Sequence, residues 1–350
     1  MRDDLPELLP LICPRCRTVS ERGRELHTVS VEQALVRDAR GEIVEGILRC
    51  DNRLCRRAYP IVDGIPIVVA DLAGFLRGSL AQVVERELHP QTAALLALGG
   101  ADSDPYPHLV EHLSIYLDAH WGDRAEPPPD GPGPRFGMEA LAARLRARAA
   151  ERAERTVELG ASVGRGVAEL AAGSTLTVGV DLHFGALRRA RRLLGGEPLD
   201  YPRKQAGRHY STATARAGDR AAPDAALVCG DALDPPLVPS SFDRVAAINL
   251  LDSVHSPPQL LSVIDGLCRR GGEVIVASPY SWQSGIVGEE HRLGEHDPAA
   301  EVTRRLRDGV ELEARYTVED EAEVTWYLRR DARSGHSYSV HWVRARKASG

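Results

Sequence analysis

Lysine is nearly absent from this chain: of 44 lysines and arginines, only Lys204 and Lys347 are lysine. There is also no basic excess, since 50 acidic residues outnumber those 44, for a net charge of -6 and a pI near 6.1. Phosphate neutralisation supplies most of the affinity of general nucleic-acid binders, so this balance argues against that class. No apolar run approaches the ~18 residues needed to cross a bilayer, which excludes a membrane span and a membrane partner. The opening Met1-Arg2-Asp3-Asp4 lacks the basic start of a secretory leader, so a cytoplasmic location is expected. What is present is ordinary for a soluble globular protein: 350 residues, 43% hydrophobic and 27% charged. At ~150 residues per domain, that length suggests about two domains.

Four of the six cysteines fall in the first 55 residues: Cys13, Cys16, Cys50 and Cys55. Cys13-Pro-Arg-Cys16 is a tight pair and Cys50-Asp-Asn-Arg-Leu-Cys55 a wider one. Two such pairs separated by a β-rich stretch can place four thiolates around one tetrahedral ion, so a structural Zn2+ is expected there. A redox pair needs no distant second pair, and two disulfides need an oxidising compartment. The wider spacing leaves open that Cys50 or Cys55 is a buried thiol.

Just after Cys55 the chain reads Tyr59-Pro-Ile-Val-Asp-Gly64-Ile-Pro66. The two cysteine pairs followed by this tail resemble the Trm112-like zinc-ribbon family over about residues 8–70. In that family the module activates methyltransferases or is fused to one. The resemblance implies a closed four-thiolate zinc that holds a fold and does no chemistry. The expected division is a zinc-ribbon module at 1–70, a helical connector and linker at 71–135, and a catalytic domain at 136–350.

In the connector, Leu109, Leu113, Tyr116 and Leu117 recur at helical spacing. His108, His112 and His120 read as histidines of a packing helix, because no carboxylate spacing completes a metal site. Glu126–Pro134 holds five prolines and reads as a stiff linker. Met138–Arg155, rich in Ala, Arg and Glu, reads as a helix.

Residues 156–279 alternate strand and helix in a βαβ rhythm. Thr156-Val-Glu158-Leu-Gly160 is a strand entering a glycine turn that continues to Gly164 and Gly166, where the backbone turns sharply and a ligand can approach. Leu176–Asp181 is a second strand ending in an acid able to accept both hydroxyls of an adenosine ribose, with Leu182 beside it. Val228–Ala232 is a third strand with Asp231 at its tip, and Phe242–Asn249 a fourth. Pro257–Arg270 is a helix and Gly271–Pro279 a fifth strand.

The glycine pattern alone is shared with the short-chain dehydrogenases. Their Tyr-x-x-x-Lys would require tyrosines at 200 and 343, where this chain has Asp200 and Val343. A P-loop also fails, because no Gly-Lys-Ser/Thr follows. The ordered strand tips instead resemble the class I S-adenosylmethionine-dependent methyltransferases over about residues 137–346. This resemblance implies an α/β Rossmann-like sheet closed by an antiparallel hairpin of Ala322–Arg330 and Tyr338–Arg346. It also implies S-adenosylmethionine held by Glu158, Gly160, Gly164, Asp181, Leu182, Asp231, Ala232 and Asn249.

Ligands of open α/β sheets bind outside the carboxyl ends of the strands. Substrate candidates are therefore Tyr201, His209 and Tyr210, with Lys204 beside them, in the Gly195–Pro223 insertion read as a lid, together with Trp282 after the fifth strand. Methyl transfer needs its nucleophile held in line with the leaving sulfur, and a base only if the acceptor arrives protonated. His255, Asp252 and Tyr280 are the candidates for orienting or deprotonating it. Tyr280 and Trp282 can also be packing aromatics, and His255 a helix cap. Asn249-Leu-Leu-Asp252-Ser-Val with Ser278-Pro-Tyr-Ser-Trp282 and Arg329–Arg333 resembles the mercaptohistidine methyltransferase domain of ovothiol synthesis. The match departs at Glu290–Gly294, where that group has Trp-Leu-Gly-Gly.

The reading is methyl transfer to a small polar or amino-acid-like acceptor, with a homodimer as the candidate assembly. The alternatives are an RNA or protein methyltransferase recruited by the zinc module, or a non-catalytic cofactor-binding scaffold. Against the former, the chain lacks Asn/Asp-Pro-Pro-Tyr/Phe after the fourth strand.

Overall fold

The computed structural model describes residues 1–2, 4–19, 26–99, 105–122 and 138–349. The proline-rich Glu126–Pro134 linker lies outside them. Two sheets and a hairpin organise the chain. The first sheet is antiparallel in chain order: β1 (Leu11–Ile12), β2 (Thr28–Arg37), β3 (Ile43–Cys50), β4 (Ala58–Val62) and β5 (Ile65–Pro66). Two short helices, α1 (Leu5–Leu8) and α2 (Pro14–Val19), accompany it. Helices α3 (Leu72–Val84), α4 (Pro90–Leu98) and α5 (Pro105–Trp121) follow.

The helix expected over Met138–Arg155 is shorter. Helix α6 spans Glu139–Ala147, and strand β6 already starts at Ala153 and runs to Leu159. Ala153 pairs with Ser174 and Arg155 with Leu176, so sheet registry overrides the local helix propensity of this segment.

The main sheet continues with α7 (Arg165–Ala171), β7 (Ser174–Asp181), α8 (Phe184–Leu194), β10 (Ala226–Cys229), β11 (Phe242–Ile248), α9 (Pro257–Leu267), β12 (Cys268–Ser278) and α10 (Pro298–Asp308), and ends in β13 (Tyr316–Arg329) and β14 (Gly335–Lys347). Between α8 and β10 the insertion forms a separate hairpin, β8 (Leu199–Ala206) and β9 (His209–Ala215). The strand order is β10-β7-β6-β11-β12-β14-β13. The first five strands are parallel, and β14 runs antiparallel to both its neighbours. This is the expected Rossmann-like sheet closed by a hairpin. Strands buried on both faces must read as continuous apolar runs, which is why Val157, Leu159, Val178, Val180, Val245 and Val274 are at or near zero exposure.

The order reverses between β6 and β11, so the chain leaves the sheet in opposite directions there and opens a crevice at the strand ends. The N-terminal sheet joins the opposite edge of the main sheet. Val68 donates its amide to Cys229 O at 2.9 Å, extending the pairing beyond β10, and Ile12 donates to Pro236 O at 3.0 Å. One hydrophobic cluster contains Leu11, Ile43, Leu48, Tyr59 and Ile61 together with Val157, Val178 and Val228. Among the described residues, no helix is long and apolar enough to cross a membrane.

Candidate functional site

The turn after β6 and the turn after β11 meet at the crevice. Gly160 has φ of 78°, and a Cβ there would stand 3.0 Å from Leu250 Cδ1, so only glycine lets the two turns approach this closely. Gly164, with φ of 85°, is the N-cap of α7. A Cβ on Gly166 would fall 2.0 Å from Glu158 Oε1. The two glycines nearest the acid are thus required by packing around Glu158 and Leu250.

Glu158 itself is 2% exposed, and its Oε2 has no hydrogen-bond partner among the described residues. Burial pushes its pKa up to about 8 against the pull of the Val167 amide, with the charge of Asp181 adding to the rise. A glutamate titrates near 4.3 in the unfolded chain. The raised folded value therefore contributes stability that is complete below about pH 4.3 and lost as pH rises through about 8. Glu158→Gln is expected to flatten the fall in ligand-free melting temperature between pH 5 and 8, a difference on the order of a few kcal/mol. Parallel wild-type and variant curves would show that Glu158 is not held protonated.

Asp181 ends β7 and uses both oxygens. Oδ2 accepts from the Ser162 amide and Oδ1 from the His183 amide, each at 2.7 Å. Desolvation raises its pKa. It therefore clamps the glycine turn on one side and the start of α8 on the other, while each oxygen keeps a lone pair. Leu182, 42% exposed, forms the rim beside it. Asp231 lies just beyond β10, where its Oδ1 accepts from the Leu233 amide at 2.9 Å, and Ala232 is buried next to it. Asn249 follows β11 with φ of 52°, and its buried Oδ1 has no partner among the described residues. These candidates come from four strand ends of one sheet, as an extended adenosine-type ligand would require.

Beyond Asn249, Asp252 is 4% exposed. Its Oδ2 accepts from the Ser281 amide at 3.1 Å, which ties the turn after β11 to the segment after β12, while its Oδ1 has no partner among the described residues. Tyr280, strained at φ of 51°, shares a 2.8 Å hydrogen bond with His341 Nδ1 and lies 5.8 Å ring to ring from Trp282. His341 contacts Glu321 in turn, which Thr303 also holds. The bent Tyr280 backbone is thus pinned by a chain of bonds reaching α10.

Several candidates stand elsewhere. His255 is exposed and makes no hydrogen bond or ion pair among the described residues, to Asp252 or to any other group. Tyr201 is buried and donates its hydroxyl to Asp118, which makes it part of the seam between the β8–β9 hairpin and α5. His209 is exposed at the hairpin turn, and Tyr210 faces Lys204 across the hairpin. Lys204 is bound to Glu111. The insertion packs chiefly on α4 and α5, so it backs α5.

The reading of α5 as a packing helix missed part of its role. His112 stacks on His183 with ring centroids 5.4 Å apart, next to Asp181. Tyr116 is driven up to about 12 by burial, by Asp252 and also by Asp181. Tyr338 of β14 also feels Asp252 and stacks at 5.1 Å on Trp326, whose buried Nε1 has no partner among the described residues. The strand alternation of Tyr338, Val340 and Trp342 was legible; that its half-buried member stacks on Trp326 was not.

At the far edge, the sulfurs of Cys13, Cys16, Cys50 and Cys55 all lie within 4.8 Å of one another. Cys13 to Cys55 is 3.9 Å and Cys16 to Cys50 is 3.6 Å. Ligands at the ~2.3 Å zinc–sulfur distance in a tetrahedron stand ~3.8 Å apart, so the donor set and spacing fit a metal ion. Asn52 donates to Cys16 Sγ and the Tyr59 hydroxyl lies 3.1 Å from Cys13 Sγ, bonds of the kind that orient metal ligands.

Residues 157–276 match the family model for a methyltransferase domain. No curated protein matches the chain. Among solved structures, the chain is similar to YcgJ from Bacillus subtilis, at 11% identity and a TM-score of 0.39, covering 61% of this chain and 100% of that one. It is also similar to the N-methyltransferase NodS from Bradyrhizobium japonicum WM9, with 11% identity, a TM-score of 0.39, and coverage of 60% and 96%. A complex of the Haloferax volcanii Trm112 methyltransferase activator with a methyltransferase gives 17% identity and a TM-score of 0.40, over 60% of this chain and 92% of that one. Residues 157–276 thus match a methyltransferase domain and lie on a Rossmann-like sheet.

Proposed function

We propose that the chain transfers the methyl group of S-adenosylmethionine to a small polar or amino-acid-like acceptor. The observation that carries this reading is the burial of Asp252: it follows Asn249 in the turn after β11, is 4% exposed, and is tied through Oδ2 to the Ser281 amide after β12. A carboxylate so deeply placed suits a small molecule that the site can enclose. In this reading Asp181 takes the ribose hydroxyls, Asp231 the adenine amino group, and the donors of the cofactor's amino-acid end satisfy Glu158 and Asn249. The sulfonium is an activated leaving group, so the chain's task is to hold the acceptor in line and exclude water.

The four-cysteine cluster holds zinc as a structural ion, in keeping with the Trm112-like resemblance. The resemblance to the ovothiol-type domain makes imidazole and thiol amino acids the first acceptors to try. The test is incubation with methyl-labelled S-adenosylmethionine and a metabolite set alongside bulk tRNA and ribosomal protein. Label on a small molecule supports the reading; label on tRNA or protein alone overturns it.

A further inference from the structure

A cavity of about 440 Å3 opens where the end of α5, the start of α7 and the β9 strand of the insertion meet, and Arg165, Arg203, Arg216 and Arg220 all line it. We infer that it is a second binding site, for a small phosphate-bearing anion. It is separate from the crevice at the strand ends, since neither Asp181, Asp231, Asn249 nor Asp252 lines it, and the inference does not depend on what the methyl acceptor is. Asp219 is the one carboxylate among the described residues of its wall. The wall is also joined to the glycine turn after β6: Trp121 lines the cavity and donates its indole N–H to Val163 O at 2.7 Å, and Arg165 directly follows the N-cap Gly164.

The charges around it do not balance. Arg165 pairs with Glu169 at 2.7 Å and Glu139 at 3.1 Å, and its guanidinium lies 5.4 Å from the Trp121 ring. Arg220 pairs with Glu169 at 3.0 Å and Asp219 at 3.2 Å, and Arg203 with Asp118 at 3.8 Å. Glu169 and Asp118 are shared further, with Arg146 at 2.7 Å and Arg329 at 2.9 Å. Four carboxylates thus serve five guanidiniums, and Arg216, exposed at the end of β9, makes no hydrogen bond or ion pair among the described residues. Asp200 of β8 accepts from the Thr214 hydroxyl at 2.7 Å and pairs with no arginine. Guanidiniums gathered on one wall repel one another unless an anion lies among them. Their planar forks match phosphate oxygens, and the volume is that of a small-molecule site. The chain's net charge of -6 disfavours a polynucleotide as the source of the phosphate.

The test is calorimetric titration of the full chain with inorganic pyrophosphate in chloride buffer. Saturable binding is expected. Arg216→Ala is expected to weaken it about tenfold, the worth of one charge-assisted contact. Its melting temperature should stay at the wild-type value, because that side chain bonds to nothing in the fold. Arg270→Ala, which removes an equally exposed and unpaired arginine from β12, changes the net charge by the same amount and is expected to bind within about twofold of wild type. No binding by the wild-type protein, or equal weakening in the two variants, overturns the inference. So does binding of bulk tRNA that is lost in Arg216→Ala while pyrophosphate gives no heat, which assigns the arginines to a polynucleotide.

Discussion

Asp181→Ala is expected to weaken S-adenosylmethionine and S-adenosylhomocysteine binding by two orders of magnitude or more. A carboxylate that accepts two ribose hydroxyls makes charge-assisted hydrogen bonds of about 1.5–3 kcal/mol each, and every 1.4 kcal/mol is tenfold in affinity. The variant also releases the Ser162 and His183 amides that Asp181 holds at 2.7 Å, so the glycine turn loses its clamp along with the ligand's acceptor. Asp181→Asn separates the two contributions. It keeps one carbonyl oxygen for an amide or a hydroxyl and is expected to fall between wild type and alanine. Titration calorimetry on all three proteins, checked by circular dichroism for retained fold, decides it. Affinity within threefold of wild type in Asp181→Ala would place the adenosine elsewhere.

Removing the metal should have the second large effect, and it should reach the cofactor. Structural zinc sites of four thiolates contribute about 10–16 kcal/mol to folding in small modules. Here the module is joined to the sheet edge that ends in Asp231. Val68 bonds Cys229, while Arg17 donates to Pro235 O at 2.9 Å and pairs with Asp234 at 2.5 Å. Loss of the ion is therefore expected to loosen the 231–237 turn as well as the module. Chelation, or Cys16→Ser, is expected to lower the melting temperature by at least ~10 °C, since ~1 kcal/mol moves a domain of this size by about 2–4 °C. The same treatment should weaken S-adenosylhomocysteine binding several-fold, and Arg17→Ala should reproduce the weaker binding with the metal still bound. Elemental analysis is expected to find about one zinc per chain. A purified protein free of metal, with a melting curve indifferent to chelators, would reduce the cluster to four crowded thiols.

The Glu158 prediction complements these, because it concerns the ligand-free state. Its carboxyl is buried with one oxygen unpartnered among the described residues, a cost that a donor from the cofactor would relieve.

How much of this was legible differs from place to place. The strands of the parallel sheet were readable because burial on both faces forces continuous apolar runs, as in Thr177–Val180 and Val245–Ile248. Their tips followed, since a strand that ends in Asp181 must present it at the carboxyl edge. The four cysteines were readable from spacing alone, and they do converge. Boundaries were less secure: Ala153–Arg155 look helical by composition but are drawn into the sheet by pairing with Ser174–Leu176. The Gly195–Pro223 insertion was expected over the crevice. It instead packs on α5, because Tyr201 and Lys204 find their partners in Asp118 and Glu111 there.

By itself, then, the sequence determined the sheet, the order of its acidic tips and the pairing of the four cysteines into one cluster, for each of these is written in short local motifs. Only the tertiary structure decided what meets the turn after β11: it brings the Ser281 amide to Asp252 and leaves His255 exposed. Tyr116 and Tyr338 lie more than 80 residues to either side of this turn, and that both pack on the cluster holding Ile248 and Trp326 depends on how α5 and the closing hairpin dock on the sheet. No local periodicity encodes that docking: a helix or strand pattern says which face is buried, and leaves open what it is buried against.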